Sequence, residues 1–197
     1  MIVTVTGGAR SGKSSFAERW IMKHAQAAVY VATGQSFDEE MKARIALHRQ
    51  QREHNGYAWT TLEEPLRLAE LLSGLGERTG EPVSSASLAA AGPVVLIDCL
   101  TLWLSNVLLA AEDQPVPADT AALREIERLA AAAAAFPGTL VMVTNEVGSG
   151  IVPEYPLGRQ YRDLAGLLNR MMAALSDQVF LVTAGIPIEL KSREYRL

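Results

Sequence analysis

The sequence predicts an α/β fold: a mostly parallel central sheet with helices on both faces. Two observations carry this. Short apolar runs rich in Val and Ile alternate with longer stretches of helical spacing, the pattern of strands joined by crossover helices. The runs are apolar continuously rather than at every second residue, as in strands covered on both sides. A length of 197 residues fits one domain spanning residues 1–197, and a chain of this size buries roughly 70% of its unfolded surface, ample for a core.

The elements follow in order. Ile2–Thr6 (IVTVT) is β-branched throughout and stops at Gly7 and Gly8, so it reads as the first strand. Helical spacing covers Lys13–His24. Ala28–Ala32 (AVYVA) is the second strand. Ser36 followed by Glu39 forms a capping box, which starts a helix over Ser36–Arg52. Another helix is expected over Pro65–Leu75. Ser84–Gly92 (SSASLAAAG) is rich in small residues and reads as a loop before the strand Val94–Ile97 (VVLI). Cys99–Ala111 has helical spacing, residues 111–118 form a Pro-containing break, and Ala118–Ala135 resumes as a helix. Leu140–Thr144 (LVMVT) and Val179–Thr183 (VFLVT) are strands flanking a helix over Leu157–Leu175. A short last strand is expected near Ile186–Leu190. The chain carries no internal repeat.

Composition removes several classes of function. Lys and Arg number 18 against 22 Asp and Glu, a formal net charge of −4, which argues against a protein that coats nucleic acid. The single cysteine, Cys99, excludes an internal disulfide framework and a multi-cysteine metal knuckle. A reducing, cytoplasmic setting is expected. No apolar stretch approaches the ~18 residues of a membrane span. MIVTVTGG has no basic region before its apolar residues and does not read as a signal peptide.

The strongest local signal is Gly7-Gly8-Ala9-Arg10-Ser11-Gly12-Lys13-Ser14, which fits G-x-x-x-x-G-K-[ST] between a predicted strand and a predicted helix. Glycines let the backbone curl so that successive N–H groups point at phosphate oxygens, and the helix start adds its positive dipole end. Lys13 supplies a mobile charge for the outer phosphates and Ser14 a hydroxyl for Mg²⁺. The sheet is therefore expected to be P-loop NTPase-like. Arg10 reads equally as a phosphate contact or a solvated loop residue. Asp98 ends the run VVLI, where an acid serving the metal belongs; it also suits the N-cap of the helix from Cys99. Cys99 itself reads as a small buried residue.

Two further blocks bear chemistry. On the helix Ser36–Arg52, Arg44, His48 and Arg52 recur every fourth residue and share a face. Met41, Ile45 and His48 fall at core spacing, so His48 sits where an apolar and a basic stripe meet. It reads either as a half-buried histidine satisfied by a carbonyl or as a neutral imidazole able to attack a phosphate, with arginines dispersing the added charge. His24 and His54 lack such settings and read as surface residues. Val143–Pro153 (VTNEVGSGIVP) follows the fourth apolar run, at the sheet end where ligands bind in parallel α/β folds. Asn145 and Glu146 place polar groups there, and Gly148 and Gly150 permit close backbone approach.

In this order the blocks TGGARSGKS, YVATG, DEEMKARIALHRQQR, Trp59–Glu63, LIDCLTLWLSN, VTNEVGSGIVP and GRQYRDLAGLLNR resemble one family. It is the bifunctional adenosylcobinamide kinase/adenosylcobinamide-phosphate guanylyltransferase of cobalamin biosynthesis. The resemblance implies two steps on one small fold. A terminal phosphate passes from ATP or GTP to the aminopropanol hydroxyl of adenosylcobinamide. A histidine then attacks the α-phosphate of GTP, and the guanylylated histidine passes GMP to adenosylcobinamide phosphate. Carried over by motif, His48 is the nucleophile and Lys13 a catalytic cation. Gly7, Gly8, Ala9, Arg10, Ser11, Gly12, Lys13 and Ser14 hold nucleotide phosphates. Ala32, Thr33, Gly34, Arg49, Gln50, Gln51, Arg52, Glu63 and Asp98 line the guanine nucleotide site. Ser14 and Asp98 serve Mg²⁺. A carboxylate such as Glu63 can accept both guanine N–H groups, although Glu63 also reads as a solvated residue after a turn. A corrinoid substrate, no nucleic-acid partner and a homotrimer are likewise implied. An imidazole attacks only when neutral, so the guanylyl step is expected to slow at low pH. The competing readings are a P-loop kinase for another small metabolite, with His48 structural, and a nucleotide-responsive regulatory protein.

Overall fold

The computed structural model describes residues 1–35, 56–77, 92–112 and 115–195. The strands are β1 (Ile2–Thr6), β2 (Ala27–Ala32), β3 (Ala58–Glu63), β4 (Val94–Asp98), β5 (Thr139–Val143), β6 (Gln178–Thr183) and β7 (Ile186–Glu189). The helices are α1 (Lys13–His24), α2 (Leu68–Glu77), α3 (Leu100–Ala111), α4 (Ala118–Ala135) and α5 (Pro156–Leu175). The seven strands form one sheet in the order β3-β2-β4-β5-β1-β6-β7. All neighbours are parallel except β6 and β7.

Continuous apolarity has the predicted cause. In β4, Val95 and Ile97 face a core built with α2, α3, α4 and α5, while Val94 and Leu96 face α1. In β5 the same split sends Leu140 and Met142 one way and Val141 and Val143 the other. A strand with period-2 side chains and helices on both sides needs an apolar residue at every position. Each such burial stabilises by about 1.5–3 kcal/mol. On the α1 face, Ala17, Trp20 and Ile21 cover the sheet; on the other, Trp103, Leu104, Ile126, Leu129 and Leu168 fill the larger core.

Several elements depart from expectation. The sequence pattern predicts no strand over β3 (AWTTLE): its side chains are exposed or half-buried, because it is an edge strand hydrogen-bonded only to β2, and it lacks the apolar run of an interior strand. Glu63 thus ends a strand rather than following a turn. α2 begins at Leu68, not Pro65, because Glu64 Oε1 accepts the N–H groups of Leu66 and Arg67 in a turn before it. Asp98 is the last residue of β4 and not an N-cap; Cys99 holds that position, with no side-chain cap bond. His24 is half-buried rather than on the surface: its ring stacks on Trp20 with centroids 4.2 Å apart, and its Nδ1 lies 2.6 Å from the Trp20 carbonyl oxygen. The segment Ser36–Arg52, with Arg44 and His48, lies outside the described residues, as do His54 and most of the expected loop Ser84–Gly92. Among the described residues no helix is long and apolar enough to cross a membrane.

Candidate functional site

The parallel register lines up the carboxyl ends of five strands. Glu63 pairs with Ala32, Ala32 with Asp98, Asp98 with Val143, and Val143 with Val5. At about 4.8 Å per strand, Asp98 lies about 10 Å across the sheet from Val5, and Glu63 about 19 Å. Topology therefore brings Asp98 close to the loop that leaves β1 and sets Glu63 at the far edge.

That loop is Gly7–Gly12, running from β1 into α1. Ser11 N–H donates to Gly8 O at 3.3 Å and Phe16 N–H to Gly12 O at 2.9 Å. Gly12, before the first helical residue, has φ 93°, a left-handed conformation that glycine adopts without penalty. Gly7 is required for a different reason: a Cβ there would stand 2.4 Å from the Val182 carbonyl oxygen of β6. Gly8 faces open space. Arg10 is exposed, with φ 56°. Ala9 is exposed beside it, and Ser14 is half-buried in the first turn of α1.

Lys13 is only 7% exposed, and its Nζ donates to Gly8 O at 3.1 Å. The ammonium is thus folded back over the loop. The Ser11 Oγ and Thr6 Oγ1 atoms are buried without a hydrogen-bond partner. A buried unmet hydroxyl costs about 1–3 kcal/mol, and both lie within the loop or directly before it. Two neighbours brace the loop. Gly185 N–H, in the two-residue turn between β6 and β7, donates to Ser11 O at 2.9 Å, and Glu146 N–H, just beyond β5, donates to Gly7 O at 3.1 Å. In that turn Ala184 and Gly185 both have positive φ, 51° and 80°, as a twisted two-residue hairpin requires.

Asp98 is half-buried, and the Tyr30 hydroxyl donates to its Oδ2 at 2.9 Å. Among the described residues no group of three or more His, Cys, Asp or Glu could hold a metal ion. Ser14 and Asp98 instead offer single oxygen donors, the set that suits Mg²⁺ completed by phosphate oxygens and water.

The next residues after β2 are used within the fold. Thr33 is fully buried; its Oγ1 donates to Cys99 O at 2.7 Å and accepts from Cys99 N–H at 2.8 Å. Asn106 Nδ2 donates to Thr33 O at 2.8 Å and to Pro65 O at 3.1 Å. These bonds tie the ends of β2 and β4 to α3, with Ala32 and Gly34 half-buried on either side. Burial, and then the Asp98 charge, push the Cys99 thiol above its ordinary range, so it stays protonated and unreactive. Glu63 is exposed at the sheet edge. Arg49, Gln50, Gln51 and Arg52, with His48, fall outside the described residues.

A polar network, of which the sequence points to Asn145 but not to its partners, holds the chain after β5. Asn145 Nδ2 donates to Thr101 Oγ1 at 2.7 Å, Asn169 Nδ2 to Asn145 O at 2.9 Å, and Thr144 Oγ1 to Asn169 Oδ1 at 2.6 Å. Tyr161 donates to Thr101 O at 3.1 Å, and burial raises its phenol to about 12. Arg162 Nη2 holds Gly148 O at 2.7 Å. Tyr30, Thr101 and Asn169 lie in the blocks of the family resemblance, but no local chemistry assigns them a role; their partners are 68, 44 and 24–25 residues away. Only the polar residue at a helix or strand position, otherwise apolar, marked them.

Comparison with known proteins places the chain among relatives of one kind. The family model described as Cobinamide kinase / cobinamide phosphate guanyltransferase matches residues 3–190. The bifunctional adenosylcobalamin biosynthesis protein CobP of Pseudomonas aeruginosa is 41% identical over 187 residues, covering 95% of this chain and 95% of that protein. The bifunctional adenosylcobalamin biosynthesis protein CobU of Escherichia coli is 40% identical over 200 residues, covering 97% of this chain and 100% of its own length. The CobU protein of Salmonella typhimurium is 40% identical over 198 residues, with the same coverage.

Proposed function

The chain belongs to the cobinamide kinase / cobinamide phosphate guanyltransferase family, and on that premise we propose a two-step activity toward a corrinoid. It phosphorylates the aminopropanol hydroxyl of adenosylcobinamide with ATP or GTP. It then transfers GMP from GTP to adenosylcobinamide phosphate through a guanylylated His48, giving adenosylcobinamide-GDP. The observation that supports nucleotide chemistry most directly is the Gly7–Ser14 loop, with Lys13 folded onto it and the unmet hydroxyls of Thr6 and Ser11 at it.

The residues divide the work. The loop N–H groups and the start of α1 bind phosphate oxygens. Lys13 moves from Gly8 O to the outer phosphates and offsets charge that develops as the terminal phosphoryl group departs. Ser14 and Asp98 hold Mg²⁺, which when bound neutralises phosphate charge and fixes the triphosphate. Tyr30 orients the Asp98 carboxylate. In the second step a neutral His48 imidazole forms an N–P bond to the α-phosphorus as the bond to pyrophosphate breaks. The acceptor phosphate then displaces the imidazole, so one difficult transfer becomes two in-line displacements. Glu63 reads the guanine N–H groups, and Arg49 and Arg52 neutralise phosphate. A cytoplasmic enzyme and a homotrimer complete the reading.

The test is direct. With Mg²⁺ and GTP labelled at the α-phosphate, denatured protein should retain label that survives alkali and is lost in acid, and His48→Ala should retain none. Absence of label, or equal label on His48→Ala, removes the covalent step. Phosphate transfer to adenosylcobinamide with ATP and with GTP checks the first step and separates this reading from a kinase of another metabolite.

A further inference from the structure

The geometry points to Glu146 as the catalytic residue that takes the acceptor hydroxyl proton in the phosphoryl-transfer step. The inference rests on the kinase half of the proposed function. Phosphoryl transfer to an alcohol needs a carboxylate or similar group beside the terminal phosphate, to orient the hydroxyl and accept its proton.

Position selects Glu146. The parallel ladder between β5 and β1 continues past both strands: Thr144 N–H donates to Val5 O at 2.9 Å, and Glu146 N–H to Gly7 O at 3.1 Å. Glu146 thereby follows directly after the residue opposite Gly7, and its N–H is bonded to the first residue of the phosphate loop. The residue before it, Asn145, is held by its bonds to Thr101 and Asn169, while the Glu146 side chain is exposed. The remaining carboxylates at this edge are otherwise placed. Asp98 accepts from Tyr30, Glu64 caps the turn before α2, and Glu63 is four strands from β1. Gly148 keeps room for the group: a Cβ there would approach Glu146 Oε1 to 3.3 Å.

In the step, the acceptor oxygen forms a bond to the γ-phosphorus as the bridging P–O bond breaks toward the nucleoside diphosphate. The hydroxyl proton passes to the Glu146 carboxylate and from there to solvent.

The experiment compares wild type, Glu146→Gln and Glu146→Asp for adenosylcobinamide phosphorylation with Mg-ATP, and for label retained from GTP labelled at the α-phosphate. Glu146→Gln should lose about 100- to 10,000-fold in kcat for phosphorylation, with KM for ATP within threefold and the GTP label unchanged. Glu146→Asp should recover part of the loss. Phosphorylation by Glu146→Gln within threefold of wild type overturns the assignment. So does an equal loss of phosphorylation and label, which marks a residue that only shapes the loop. A wild-type protein that phosphorylates no cobinamide refutes the kinase reading itself, an outcome visible before any variant is made.

Discussion

Tyr30 and Asp98 are joined across neighbouring strands, the phenol donating to the carboxylate Oδ2 at 2.9 Å. Tyr30 is 4% exposed, so the bond fixes Asp98 from the buried side and leaves its other oxygen for the site. Tyr30→Phe should cost about 1.5–3 kcal/mol, the usual worth of a hydrogen bond to a charged group. It should also raise the Mg²⁺ concentration needed for half-maximal phosphorylation several-fold. Thermal melts and a magnesium titration check the two effects separately.

Removing the Lys13 ammonium should act on chemistry more than on folding. Lys13→Met keeps the stem packed and loses the charge. Phosphoryl transfer should fall by about 100- to 1,000-fold, the usual loss for one preorganised charge-stabilising donor. Steady-state kinetics with ATP, alongside a melt, measure this.

Gly7 and Gly8 are adjacent but should respond differently to alanine. At Gly7 the new methyl meets a backbone carbonyl at 2.4 Å, whereas at Gly8 it meets nothing within 4 Å. Gly7→Ala should cost about 1–3 kcal/mol, as overpacking does. Gly8→Ala should stay within about 0.5 kcal/mol of wild type. Denaturant unfolding of the two variants tests the contrast.

Thr33 is the clamp between β2 and the start of α3, both donating to and accepting from the Cys99 backbone. Thr33→Val keeps shape and leaves the buried Cys99 N–H without its partner, so the loss should be about 1–3 kcal/mol. Thr33→Ser should restore most of it. Chemical denaturation with an unchanged m-value checks that the folded state alone is affected.

Alkaline pH should weaken the fold through Tyr161 and Tyr57, both pushed by burial from 10.0 to about 12. The folded state keeps these protons where the unfolded chain has released them. Their contribution is therefore complete below about pH 10 and lost as pH rises toward about 12. Tyr161→Phe should flatten this decline. Melting temperatures between pH 8 and 11.5 reveal it; identical slopes for wild type and Tyr161→Phe exclude a contribution from Tyr161.

The sequence alone determined the phosphate loop, the interior strands and the helices that cover them. These depend on neighbours within a few residues: the glycines that curl Gly7–Gly12, and runs such as VVLI that suit only a strand buried on both faces. It also carried enough of the spaced motifs to indicate the family. Tertiary structure decided what depends on register. β3 escaped detection because an edge strand needs no apolar run, and its place beside β2 comes from backbone pairing. The Ala184–Gly185 turn became a brace only when β6 came to lie beside β1 and set Gly185 N–H against Ser11 O. Tyr30 meets Asp98, and Glu146 meets Gly7, across 68 and 139 residues of chain. No local periodicity encodes such pairs; they follow from closing long loops against a common core, whose packing selects one register among many.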